Sequence, residues 1–176
     1  AGKRKRGDLQ PGNAVSAQWR ARLAEHLGSY TCELHQAHAA LVLDAPDALA
    51  ALSAALAVVE TSLPEREPHA QIFDGLTVLL HAIGGDGDWR SAYVKFEMGL
   101  LGELGFGLDF SCCAATGDVE NLIYVSPKSG RAVSAAAGQP YLKSMLALPP
   151  FLLSTGSGGS IADVSAGLSL TGYFLK

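Results

Sequence analysis

Cysteine is scarce in this sequence: three residues in 176, two of them the adjacent Cys112 and Cys113. That spacing makes no disulfide framework, so the expected compartment is a reducing cytosol. No apolar run approaches the roughly 20 residues that a membrane-spanning helix requires. A basic start, an apolar stretch and a small-residue cleavage site do not occur in succession, so no signal peptide is read. Charged residues are also few, 17% against 48% hydrophobic, a composition that forms a core rather than a disordered chain. Walker A, GxSxG and HExxH sequences are all missing, which argues against ATP hydrolysis and against serine or zinc hydrolase chemistry. No enzyme is expected.

What is present is unevenly placed. The net charge is −4, yet the first 22 residues hold Lys3, Arg4, Lys5, Arg6, Arg20 and Arg22 against Asp8 alone, so the remainder carries −9. Val15, Ala17, Trp19, Ala21 and Leu23 alternate with Ser16, Gln18, Arg20 and Arg22, the period of a half-buried strand. Arg20 and Arg22 are therefore expected on one solvent face. Together with Lys3–Arg6 they would offer about six cations to phosphates. Tyr30, Cys32 and Leu34 alternate in a second strand expected over Ser29–Val42. Two strands alone are marginal in water, and the chain starts without methionine. It is therefore read as part of a longer protein, cut at both ends. Cys32, His35 and His38 are not read as a metal site, since on a strand His35 would face away from the other two.

From Pro46 the period changes to 3.6. Leu49, Leu52, Leu56, Val59 and Leu63 make one stripe; a second helix after Pro68 carries Ile72, Phe73, Leu76, Leu79, Leu80 and Ile83 and stops at Gly84-Gly85. A third, from Asp88, is apolar almost all round through Tyr93, Val94, Phe96, Met98, Leu100, Leu101 and Leu104. Glu97 within it is expected to pair with a cation such as Arg90 or Lys95. Gly105 and Gly107 are expected to end the helix with positive φ; Gly105-Phe106-Gly107 follows a helix and lacks a third glycine, so it is no dinucleotide fingerprint. Ser160 with Asp163 predicts a capping box for a last helix with Ile161, Val164, Leu168, Thr171 and Leu175 on its stripe. These four helices are expected to pack as a bundle, and the Gly/Ser-rich stretch Ser154–Gly159 to be a mobile loop.

Between the third and last helices, Leu122, Tyr124 and Val125 lead into Pro127-Lys128-Ser129-Gly130, and Arg131–Ser134 returns, a hairpin signature. Such a hairpin usually needs a staple. Structural zinc takes two close ligand pairs, whereas here Thr116 stands where a partner of Cys113 would be, and no Cys or His follows the hairpin.

Taken together, Phe96, Glu97, Leu100, Leu101, Leu104, Gly105, Gly107, Leu108 and Asp109, then Tyr124, Ser126, Pro127, Gly130 and Arg131, resemble in register the recombinational repair protein RecO family. In that family a central helix is followed by a knuckle holding zinc in some members and none in others. Cys113 falls on the first ligand position; Thr116 and the second pair depart, so Cys113 is a vestigial position, and neither zinc nor another cofactor is expected. The resemblance extends over essentially the whole chain. It implies an α+β fold: residues 1–44 as the C-terminal part of an OB-fold nucleic-acid-binding domain, residues 45–176 as a helical domain with the degenerate knuckle-like hairpin at about 109–140.

The implied function is a non-catalytic mediator of DNA repair and recombination. It would bind single- and double-stranded DNA, anneal complementary strands and help load RecA onto DNA coated by the single-stranded-DNA-binding protein (SSB). Lys3, Arg4, Lys5, Arg6, Arg20 and Arg22 are the expected DNA contacts. Implied partners are DNA, RecR and the acidic, Phe-ended tail of SSB, with Lys128, Arg131, Lys143 and Tyr141 as the rim of a tail pocket. The implied location is the bacterial cytoplasm, at the nucleoid. The competing expectation is a protein-interaction scaffold without direct DNA binding.

Overall fold

A computed structural model describes residues 7–23, 26–154, 156 and 158–176, and the chain falls into two compact units, the first running to Thr61 with Leu80–Gly87 added, the second Ser62–Leu79 with Asp88–Lys176. Both contain helices, and each contains a sheet.

In the first unit β1 (Ala14–Arg20) and β2 (Ser29–Gln36) form an antiparallel hairpin. Val15 lies opposite Leu34, Ala17 opposite Cys32 and Trp19 opposite Tyr30, so the apolar members of both strands share a face. β1 is shorter than the alternation predicts, and Arg22 sits in a bend beyond it. β2 is shorter too: the segment expected to be strand up to Val42 turns into the short helix α1 (His38–Leu41). The Asn13 side chain explains this turn, because its Oδ1 accepts the Ala39 N–H at 3.1 Å while its Nδ2 donates to the carbonyls of Gly7 and Asp8. A helix start, with its unpaired N–H groups, is thereby held by a side chain from before β1.

Helix α2 (Pro46–Ser62) opens on proline, which is preset for a first turn. Its buried face is Ala48, Leu52 and Ala55, so of the expected stripe only Leu52 is fully buried, while Leu49 is 37% exposed. Gly12 comes close to this face at Leu52 with φ +91, where a Cβ would stand 2.8 Å from Leu52 Cδ1. Leu49 and Leu56 line instead an open apolar hollow of about 460 Å³ with Leu43 and Ala39.

In the second unit α4 (Trp89–Glu103) is capped by Asp88, which accepts the Ser91 N–H at 3.2 Å, and it buries Tyr93, Val94, Phe96, Leu100 and Leu101. Gly105 (φ +84) ends it, with Phe106 N–H donating to Leu101 O at 2.8 Å; Gly107 needs no positive φ. α3 (Ala70–Ile83) runs as expected, its last turn counted with the first unit. β3 (Leu122–Val125) and β4 (Ala132–Ser134) form the expected hairpin around Gly130 at φ +66.

A third strand, β5 (Leu146–Ala147), pairs with the far edge of β3, so the hairpin is the core of a three-stranded sheet in the order β4-β3-β5. No pattern foretells this strand, because two residues have no period. Between β4 and β5 lie α5 (Ala135–Gly138) and a 3-10 turn over Gln139–Ser144. The last helix, α6 (Ile161–Phe174), has the expected Ser160/Asp163 capping box. Its buried face is Val164, Gly167, Leu170 and Thr171, while Ile161 is 85% and Leu168 41% exposed. Gly167 sets this rotation, because only a residue without Cβ fits against Val94.

Leu170 joins Cys113, Leu122, Val125, Ala132, Val133 and Leu148 in one core cluster. Of the loop Ser154–Gly159, Thr155 and Ser157 lie outside the described residues, and its far end is anchored by Gly159 N–H donating to the buried Ser91 Oγ at 2.8 Å.

Candidate nucleic-acid interface and knuckle remnant

Strand alternation separates the two faces of the β1–β2 hairpin. Ser16, Gln18 and Arg20 are exposed on one, while Trp19 and Tyr30 stack on the other with ring centroids 4.7 Å apart and a 49° tilt. Arg20 stands opposite Ser29 at the end of the ladder, and Arg22 follows in the bend, also exposed. Among the described residues no carboxylate is paired with either guanidinium. Lys3, Arg4, Lys5 and Arg6 lie outside the described residues. Two of the six cations expected to contact DNA are thus placed, at one end of one hairpin.

The residues expected to rim a tail pocket occupy two places. Lys128, in the β3–β4 turn, lines a hollow of about 220 Å³ with Gly105, Phe106, Gly107, Leu108, Gly130 and Phe174. Phe106 and Phe174, which sequence reasoning left out, supply its aromatic wall. Arg131 immediately precedes β4, and its Nε donates to Asp109 Oδ2 at 3.3 Å and its Nη2 to Cys112 Sγ at 3.6 Å. Asp109 also accepts the Ser111 hydroxyl at 2.6 Å and N–H at 3.0 Å. These Ser111 bonds first, then Arg131, hold the Asp109 carboxyl below the usual aspartate range. Tyr141, 60% exposed, and Lys143 lie on the 3-10 turn after α5.

Cys113 is 1% exposed beneath β4. Hydrogen bonds from the Thr116 hydroxyl and from the Ser134 side chain and N–H, the last at 3.3 Å, pull its thiol down to about 6. Cys112 is half-buried and engages Arg131. Among the described residues no group of three or more His, Cys, Asp and Glu side chains is gathered to hold a metal. Cys32 is on β2 with His35, but His38 has left the strand for α1, so the facing argument does not apply to it; its ring packs edge-on against His81 at 4.9 Å.

Glu97 is buried at 8% exposure, and the cation expected beside it is not its partner. Two hydroxyls are: Thr171 of α6 and Tyr93, one turn earlier on α4. Thr171 could not be found from periodicity, because it lies 74 residues away, whereas Tyr93, four residues before Glu97 on the same helix, is the neighbour that helical spacing offers.

A family model described as recombination protein O C terminal matches residues 43–176. The DNA repair protein RecO of Rhodospirillum centenum is 53% identical over 174 residues, covering 98% of this chain and 69% of its own length. Its namesake in Rhodospirillum rubrum is 52% identical over 181 residues, with 99% and 72% covered. That of Phenylobacterium zucineum is 50% identical over 176 residues, with 100% and 72% covered. A family match over most of the sequence, joined to such identity across nearly its full extent, places the chain in the RecO family of DNA repair proteins.

Proposed function

We propose that this chain acts in DNA repair and recombination as a mediator without catalysis, binding single- and double-stranded DNA, annealing complementary strands and assisting the loading of RecA onto SSB-coated DNA. The observation that carries the DNA-binding part is the exposure of Arg20 and Arg22 at one end of the β1–β2 hairpin, in a 22-residue stretch with six cations and one carboxylate. Annealing requires two phosphate backbones to approach, and a cluster of cations neutralises both. The hairpin is proposed as part of an OB-fold, residues 1–44, with residues 45–176 as the helical domain. Partial barrels of this kind grip polyanions without reading bases.

The test is fluorescence anisotropy of labelled oligonucleotides across a salt series. With about six phosphate contacts, affinity should fall roughly a thousandfold between 50 and 200 mM salt. Replacing Lys3, Arg4, Lys5, Arg6, Arg20 and Arg22 by Ala should remove most of that slope. A salt-independent affinity, or one unaffected by the six replacements, would leave the protein-scaffold reading in its place.

RecR and the SSB tail are proposed as protein partners. An acidic, Phe-ended tail suits a hollow with an aromatic wall and a lysine beside it, as at Phe106, Phe174 and Lys128. Because Arg131 is already engaged by Asp109, Lys128→Glu alone should weaken binding of a labelled tail peptide. Unchanged affinity would exclude this hollow.

A further inference from the structure

We infer that the apolar hollow along α2 is a docking groove for a short amphipathic helix of a partner protein, one whose apolar face is flanked by lysine or arginine. The hollow, about 460 Å³, lies wholly within the first unit. One wall is a single face of α2, where Leu49, Leu52, Leu56 and Glu60 recur at intervals of three and four residues. The opposite wall is Ala39 of α1 with Leu43 and Pro11. From Leu49 to Glu60 the groove follows about three helical turns, roughly 16 Å. A partner helix of that length would lay side chains at i, i+3, i+4 and i+7 into it.

Ala39 and Leu52 are buried at the base of the groove, whereas Leu43, 59% exposed, and Leu49 stand open to water along its sides. Ser53, the hydroxyl on this face, already donates to Leu49 O at 2.8 Å, and Pro11 has no N–H to offer. Contact here is therefore mainly aliphatic. Charge then decides the class of partner. Residues 23–65 contain Glu25, Glu33, Asp44, Asp47, Glu60 and Glu65 and no lysine or arginine. Glu60 lines one end of the groove; Asp47 stands in the first turn of α2 before Leu49, and Asp44 follows Leu43. Phosphates are repelled by such a rim, so neither DNA nor an anionic lipid surface suits it, and an acidic peptide suits it no better. A helix with leucine-like side chains on one face and cations at the edges of that face meets both the apolar walls and the carboxylates.

The experiment titrates the full chain with fluorescein-labelled peptides built from leucine and lysine only. One has its leucines at helical spacing, a second has the same composition in scrambled order, and a third keeps the leucine spacing but carries glutamate for lysine. The patterned leucine–lysine peptide should bind at least about tenfold tighter than either control. Leu43→Ser and Glu60→Lys, both at exposed positions, should each weaken that binding by about tenfold and leave Tm unchanged. Should either variant fail to fold, methyl NMR of the unaltered protein decides: the Leu43, Leu49 and Leu56 resonances should move on titration, and those of Leu100 and Leu101 in the second unit should not. No binding of the patterned peptide, equal affinity for a control peptide, affinity untouched by either substitution, or methyl shifts that miss the groove would each overturn the inference.

Discussion

Thr171 on α6 donates its hydroxyl to the Glu97 carboxyl on α4, and both residues are buried. The same oxygen lies 3.1 Å from Gly167 O, yet it has one proton to give. Tyr93 bonds the same carboxyl, so the buried acid has two hydroxyl partners. Burial raises the Glu97 pKa above its usual 4.5, and the hydrogen bonds from Thr171 and Tyr93 only partly oppose it. Burial, with Glu97 beside it, likewise pushes the Tyr93 phenol up to about 12.

The sign of the resulting pH dependence follows. A carboxyl that holds its proton more tightly folded than unfolded stabilises fully below pH 4.5, and that contribution fades as pH rises through the raised value. Glu97→Gln keeps an amide oxygen that can accept from Thr171, without titrating. Chemical denaturation of the variant between pH 4.5 and 8 should therefore show a flatter stability profile than the parent. Parallel profiles would mean that Glu97 is not the group responsible.

His38 in the first unit should act with the opposite sign. It is 3% exposed, its Nδ1 has no partner among the described residues, and burial first and the His81 charge second lower its pKa from 6.5. The folded state prefers the neutral ring, so stability is intact above pH 6.5 and is lost as pH falls through the lowered value. Amide hydrogen exchange at Val42 and Leu52, corrected for intrinsic rates, should show protection declining from pH 7 to 5. Amides of Leu100 and Leu101 in the second unit should not follow. A uniform change across both units, or none, would remove His38 from this role.

What could be read from the residues alone was whatever repeats. The helices from Pro46 to Ser62, Ala70 to Ile83 and Trp89 to Glu103 follow from period and punctuation, and so do the Ser160 capping box and the β3–β4 turn. The buried faces of α3 and α4 followed too, through Ile72, Leu79, Leu80 and Ile83 and through Tyr93, Val94, Phe96, Leu100 and Leu101, whereas those of α2 and α6 followed only in part. Leucines mark the hydrophobic stripe of α2, but Ala48 and Ala55 are buried with Leu52, and hydrophobicity ranks them lower. Partners distant in sequence were equally hidden: Thr171 for Glu97, Ser134 for Cys113 and Asn13 for Ala39 lie 74, 21 and 26 residues apart. Thr116 was visible but read only as a missing ligand, and its acceptance of the Asp118 N–H at 3.4 Å carries no spacing signature.

Helix α6 offers two glycines for which opposite outcomes are expected. At Gly167 a Cβ would lie 2.8 Å from Val94 Cγ1 and 3.4 Å from Phe151 Cζ, and Val94, stiff at χ1 and fully buried, cannot move aside. Overpacking there should cost about 1–3 kcal/mol, which outweighs the roughly 1 kcal/mol gained when alanine replaces glycine inside a helix. At Gly172 nothing stands within 4 Å, so only the propensity gain remains. Gly167→Ala should therefore lower Tm and Gly172→Ala should raise it. Equal gains from both would mean that α6 does not pack on α4 through Gly167, and the burial of Thr171 against Glu97 would need another explanation.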